Sequence, residues 1–180
     1  LGTYTLDIAT GRWSGSEILD KIFGIDADFD KSFENGTAIV HPDWRKIMQD
    51  YFIEEVIGKN GQFDKEYKII RINDKEERWI HGVGSLKYNN AGEPITMVAT
   101  IRDITESKKA ANELQESEKR YRGLLDNLDA GVVVHAADTS IITCNPKASE
   151  LLGLSIDQMK GKLAIDPEWK FLREDNTALP

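Results

Sequence analysis

The stretch FDKEYKIIRINDKEERWIHGVGSLKYNNAGEPITMVATIR, residues 63–102, decides the fold. Two clusters of turn formers divide it: Asn73-Asp74-Lys75, and Asn89-Asn90-Ala91-Gly92. The three runs they separate, 63–72, 77–88 and 94–102, are rich in Ile, Val, Thr, Tyr and Trp and read as strands. Turns this short between adjacent strands call for antiparallel hairpins.

Upstream, Tyr4, Leu6 and Ile8 alternate with Thr3, Thr5 and Asp7, the period-2 pattern of a half-buried strand. Thr10-Gly11 is a turn, and Arg12-Trp13-Ser14 continues as a second short strand. Ser16 caps a short helix carrying Ile18, Leu19, Ile22 and Phe23, which Gly24 ends. Residues 25–40 read as short helical pieces and loop. His41-Pro42-Asp43 opens a longer helix. Its apolar positions are Trp44, Ile47, Met48, Tyr51, Phe52 and Val56, an amphipathic stripe, and the helix ends across Gly58 and Gly61. Two strands, several helices and three strands, with the helices segregated on one face, define an α+β fold built on a five-stranded antiparallel sheet.

Downstream, Asp103-Ile104-Thr105-Glu106 is a capping-box variant. No Gly or Pro interrupts residues 103–122. Alternating steps of three and four from Ile104 give Ile104, Ser107, Ala111, Leu114, Glu118, Tyr121, Leu125 and Leu128. This is a heptad seam with polar flaws at Ser107 and Glu118. Gly123 costs about 1 kcal/mol more relative to Ala. Twenty-six helical residues at ~1.5 Å each make a rod of about 39 Å. The helix either pairs with its copy in a parallel dimer, through Ala111, Leu114, Tyr121, Leu125 and Leu128, or packs as a solvated linker on the module it leaves.

The chain also repeats itself. Shifted by 129 positions (131 − 2), Gly2 falls on Gly131, Thr10 on Thr139, Ile22-Phe23 on Leu151-Leu152, Gly24 on Gly153, Ile25 on Leu154, Asp28 on Asp157 and Lys31 on Lys160. Residues 1–103 are thus one module, 104–128 a connecting helix, and 129–180 the first part of a second copy. Without the two closing strands, that copy is expected to be poorly ordered, swapped, or stabilised by a partner chain.

The chain has 180 residues, 40% hydrophobic and 30% charged, with a net charge of −8. The acidity is even: −4 over residues 1–102 and −4 over 103–180. With no basic footprint, nucleic-acid binding is not expected. Runs such as Val132-Val133-Val134 fall far short of the ~20 residues of a membrane span. No membrane contact by this chain is expected, although a parent protein can carry an anchor elsewhere. The chain opens on Leu1 and is expected to be part of something longer. The single cysteine, Cys144, excludes an internal disulfide and fits a reducing, cytoplasmic location.

These residues together resemble a PAS sensory domain with its carboxyl-terminal sheet. The matching pieces in residues 2–106 are Gly-Thr-Tyr-Thr-Leu-Asp at 2–7, His-Pro-Asp-Trp at 41–44, Phe63 with Glu66-Tyr67-Lys68-Ile69, Arg78-Trp79-Ile80, Asn90-Ala91-Gly92, and Ile101-Arg102-Asp103-Ile104-Thr105-Glu106. Residues 129–180 resemble the first half of a second PAS domain, with Cys144-Asn145-Pro146 before a helix and a run from Trp169 to Asp175. The resemblance implies a sensory or regulatory module that holds a small molecule between sheet and helices. It would relay a signal through Asp103, Ile104 and Thr105 and a helix homodimer to an output domain, foremost a sensor histidine kinase. A diguanylate cyclase is the alternative output, and a ligand-free structural spacer is the alternative role. No enzymatic activity is expected of the chain itself.

Candidate ligand-facing residues are Trp13, Trp44, Tyr51, Tyr67, Trp79, His81 and Met97. These rings either stack on a planar or apolar ligand or simply fill the core. His81, alternating with Trp79 and Val83, is placed on the helix side of its strand. No cofactor is named. Haem would need an axial ligand, yet His41 reads as a helix-start residue, and His81 and His135 as ordinary partly buried histidines. The Cys144 surroundings do not resemble a flavin-thiol motif, and a free Cys usually packs as a small hydrophobe. Gly82-Val83-Gly84 lies inside a strand and is no dinucleotide loop. No metal site is expected.

Overall fold

Five antiparallel strands carry the first module: β1 (Gly2–Asp7), β2 (Trp13–Gly15), β3 (Phe63–Ile70), β4 (Glu77–Tyr88) and β5 (Pro94–Asp103). Their order in the sheet is β2-β1-β5-β4-β3. The first and last strands of the chain order therefore meet at the centre, where Gly2 pairs with Ile101 and Leu6 with Met97. This is a computed structural model, and it describes residues 1–161. The chain divides into two compact units, Leu1–Asn112 and Glu113–Pro180.

The helices are α1 (Glu17–Phe23), α2 (Phe33–Ile39) and α3 (Pro42–Tyr51). Ser16 caps α1 by accepting the Leu19 N–H, and Gly24 ends it in the left-handed region at φ 66°. Such a φ is cheap only for Gly. The buried core joins Leu19 and Ile39 of the helices to Leu6, Phe63, Tyr67, Ile69, Ile80, Met97, Ala99 and Ile101 of the sheet.

Several boundaries differ from the sequence expectation. β3 stops at Ile70: the Arg71 N–H makes a last bond across the hairpin to the Glu76 carbonyl, and the Ile72 N–H turns away to that of Phe23. β2 starts at Trp13, while Arg12 bridges Ser32 instead. The expected single helix from His41 to Val56 is α3 followed by a π-helical stretch, Phe52–Ile57. In that stretch the Gly58 N–H reaches back five residues to the Ile53 carbonyl at 2.9 Å. Ile47, counted in the apolar stripe, is 50% exposed.

The connecting helix, α4, runs Thr105–Asp126. Asp103 caps it by accepting the Thr105 N–H at 2.9 Å. Glu106 does not complete a capping box but turns to Lys109 at 3.2 Å. Every residue from Lys109 to Leu124 is exposed.

The second unit contains β6 (Val133–His135), β7 (Ile141–Cys144), α5 (Pro146–Leu152) and α6 (Ile156–Met159). β6 and β7 pair antiparallel. The 129-residue repeat is realised in detail. Helix α5 matches α1 end for end, with Asn145 in place of the Ser16 cap and Gly153 at φ 67° in place of Gly24. Thr3 N–H bonds Ser16 Oγ, and Val132 N–H bonds Asn145 Oδ1, at the equivalent positions. The run from Trp169 to Asp175 lies outside the described residues.

Candidate functional site

A cavity of about 660 Å³ lies between the sheet and the helices of the first module. Tyr4 and Leu6 of β1, Phe63 and Tyr67 of β3, and Met97 of β5 form its sheet wall. These residues share one face because the register aligns them: Leu6 is opposite Met97, Tyr67 opposite Ile80, and Phe63 opposite Gly84. Phe33 and Thr37 of α2, Met48 of α3, and Phe52, Ile53 and Ile57 of the π-helical stretch form the other wall. Trp13 closes one end, with its ring edge-on to Phe23 at 6.1 Å and its Nε1 donating to the Ser32 carbonyl. The volume suits a drug-sized ligand.

Charge is confined to the mouth. Glu34 and Arg45 are both solvent-exposed lining residues. Arg45 is also engaged, donating to the Val40 and Ala38 carbonyls at 2.9 Å. Phe33 and Ile53, 52% and 54% exposed, form an apolar rim. The wall opposite carries two phenols. Burial pushes Tyr4 up to about 12. Burial also raises Tyr67, and the nearby Tyr4 adds to the shift. Both are therefore neutral hydroxyls near pH 7.

Of the seven residues singled out from the sequence, Trp13, Tyr67 and Met97 line the cavity. The other four stand elsewhere. Trp79 and His81 occupy the phase of β4 opposite Ile80, which is fully buried. Their alternation with Val83 gave an apolar look to the outer face. The inner face is disguised by glycines: a Cβ at Gly82 would come 2.7 Å from the Phe63 ring, and one at Gly84 would come 2.5 Å from Ala99 Cβ. His81 Nε2 lies 2.7 Å from Asp64 Oδ1. Trp44 packs edge-on against Trp79 at 5.4 Å. The Tyr51 hydroxyl is tied to the start of β3, accepting the Asp64 N–H at 3.1 Å. Tyr4, Met48 and Phe52 were legible as apolar core-side positions but not as cavity walls, since that requires knowing how the helices pack on the sheet.

The end of β5 leads into α4 through a tight set of bonds. Thr105, 6% exposed, accepts the Trp79 N–H on its hydroxyl at 2.9 Å, and the Ile104 N–H donates to the Trp79 carbonyl at 2.9 Å. One turn on, Lys108 pairs with Glu66 at 2.6 Å and lies 5.4 Å from the Trp79 ring centroid. Among the described residues, no group of His, Cys, Asp and Glu is arranged to hold a metal ion, and no helix is long and apolar enough to cross a membrane.

Two family profiles match the chain. One, described as PAS fold, covers residues 12–101. The other, described as PAS domain, covers residues 119–179. The first alone takes in half the chain, which belongs to the PAS family. Among curated proteins, the chain is 26% identical over 165 residues to "Two-component sensor PprA" of Pseudomonas aeruginosa, covering 91% of this chain and 17% of that protein. It is 23% identical over 174 residues to "Hybrid signal transduction histidine kinase I" of Dictyostelium discoideum, covering 96% of this chain and 10% of the relative. The chain thus spans under a fifth of the length of either. A solved structure of a sensory box histidine kinase/response regulator from Burkholderia thailandensis superposes with a TM-score of 0.56 at 28% identity, covering 67% of this chain and 89% of that one. The N-terminal domain of a diguanylate cyclase with PAS/PAC sensor from Marinobacter aquaeolei shares the fold, with a TM-score of 0.54 at 15% identity.

Proposed function

We propose that the chain is the sensory region of a signalling protein whose output is a histidine kinase, and that it works as a homodimer through α4. One observation carries this reading: a single strand, β5, supplies Met97 to the cavity wall and ends at the Asp103-Ile104-Thr105 junction that starts α4. A molecule that shifts Met97 acts on the same strand that fixes the helix start. The relatives named as a two-component sensor and a histidine kinase support the kinase output over a cyclase. The seam Ala111, Leu114, Tyr121, Leu125 and Leu128 is the proposed dimer contact, and Leu114 and Tyr121 are 63% and 68% exposed. Asp103, Ile104 and Thr105 are the proposed relay. A cytoplasmic location accompanies this reading.

The test places spin labels at Glu116→Cys, an outward heptad position, in a Cys144→Ser background. The distance between the two copies is compared with that in Thr37→Phe, which fills the cavity from α2. A shifted distance supports the relay. An unchanged distance removes the relay, and the absence of any inter-copy signal removes the dimer.

A further inference from the structure

The cavity wall contains two hydroxyls that the protein leaves almost unused. Tyr4 Oη donates only to Met97 Sδ, at 3.7 Å, and a thioether sulfur is a weak acceptor. Tyr67 is 7% exposed. It lines the cavity, and its hydroxyl is not among the fully buried, unpartnered polar atoms of the described residues. Among the described residues Arg78 Nε is the one fully buried side-chain polar atom without a partner, so both hydroxyls open onto the cavity and can donate to a molecule held there. The apolar surroundings of Leu6, Phe63 and Met97 offer no substitute.

We propose that the cavity takes a neutral aromatic molecule carrying a hydrogen-bond acceptor oxygen, which receives the Tyr4 or the Tyr67 hydroxyl proton while its rings lie among Trp13, Phe52 and Phe63. This rests on the sensory reading above and names the ligand class for the same cavity. The acceptor character follows from the tyrosine O–H donors, for which the protein supplies no acceptor better than the Met97 thioether. Neutrality follows from the wall, because among the described lining residues the one cation is Arg45, which is solvent-exposed and engaged with two carbonyls. A buried carboxylate would go uncompensated there. The aromatic body follows from ring-lined walls that favour edge-on and offset contacts.

The test uses matched probes on the intact chain: benzophenone, diphenylmethane (the same skeleton without the oxygen) and benzophenone-4-carboxylate. Binding is read by quenching of tryptophan fluorescence and by calorimetry. Benzophenone is expected to bind about tenfold more tightly than diphenylmethane, the worth of one well-made buried hydrogen bond. The carboxylate is expected to bind at least tenfold more weakly than benzophenone. Tyr4→Phe with Tyr67→Phe should abolish the preference for the carbonyl while diphenylmethane still binds, which also shows that the variant is folded. Equal affinity for benzophenone and diphenylmethane would overturn the ligand class and leave the cavity reading standing. Tighter binding of the carboxylate would overturn neutrality. Failure of all three probes to bind would overturn both this inference and the ligand-holding part of the sensory reading, whereas the spin-label distances test the relay separately.

Discussion

At the scale of single residues, Tyr4 links the cavity to stability. Its hydroxyl is raised to about 12 by burial, while in the unfolded chain it titrates near 10. The folded state therefore holds its proton where the unfolded state has released it. The stabilisation is fully present below pH 10 and is lost as pH rises towards 12. Two pH units at about 1.4 kcal/mol each bound the loss at roughly 3 kcal/mol. Urea unfolding at pH 9 and pH 11 should show a steeper fall for the native chain than for Tyr4→Phe; parallel falls would mean the phenol is wet. The same scale explains why the site was only partly legible. In β4 the residues that look most buried, Trp79 and Val83, lie on the outer face, while Gly82 and Gly84 face the core. Hydrophobic alternation cannot detect a core position occupied by glycine. There, the missing side chain admits the Phe63 ring and Ala99.

At the scale of elements, strands and helices were largely readable because turn residues, caps and periodicity agreed along residues 1–103. The π-helical stretch Phe52–Ile57 was not readable, because its apolar residues Phe52 and Val56 fit an α-helical stripe equally well. The equivalence of Asn145 with Ser16 was also missed, since the two share no identity, only a capping oxygen. Asn145 does more than Ser16. It is 3% exposed, and its Oδ1 accepts the Val132 and Ala148 amides at 2.8 and 2.9 Å. Its Nδ2 donates to the Leu125 and Ala130 carbonyls, both at 2.9 Å. One side chain thereby ties the last turn of α4, the start of the second module and the N-terminus of α5. Removing it takes a partner from the half-buried Val132 N–H and from the Leu125 and Ala130 carbonyls, while the Ala148 N–H keeps the Asn145 carbonyl at 3.1 Å. Asn145→Ala should cost the second unit about 3 kcal/mol or more, whereas Ser16→Ala should cost the first about 1 kcal/mol. Hydrogen exchange followed by mass spectrometry separates the two units. Equal deprotection by both variants would mean that the extra bonds of Asn145 contribute nothing.

At the scale of the whole molecule, the repeat and the connecting helix raise one question: why α4 carries an apolar seam interrupted by Glu118. In the isolated chain that seam faces solvent from Lys109 to Leu124, which is costly unless something covers it. In the proposed dimer, a second copy of the same helix would cover it at the heptad positions. The polar interruption then keeps the pair marginal. Marginality suits a relay. Converting a two-state helix pair from 1:99 to 99:1 takes about 5.5 kcal/mol, within reach of one bound molecule that prefers one state. An uninterrupted seam would deepen one state beyond that range. The expected consequence is that Glu118→Leu, which replaces a repelling pair with a buried apolar one, tightens the dimer at least tenfold, because burying a Leu is worth about 1.5–3 kcal/mol. It should also shrink the distance change produced by Thr37→Phe. Leu114→Asp should loosen the dimer by a similar factor while leaving the first module folded. Sedimentation equilibrium gives the dissociation constants, and far-ultraviolet circular dichroism follows the fold. If Glu118→Leu and Leu114→Asp leave the dissociation constant unchanged, the seam is not the interface. If Glu118→Leu tightens the dimer without damping the distance change, the helix pair is a joint and the signal travels by another part of the chain.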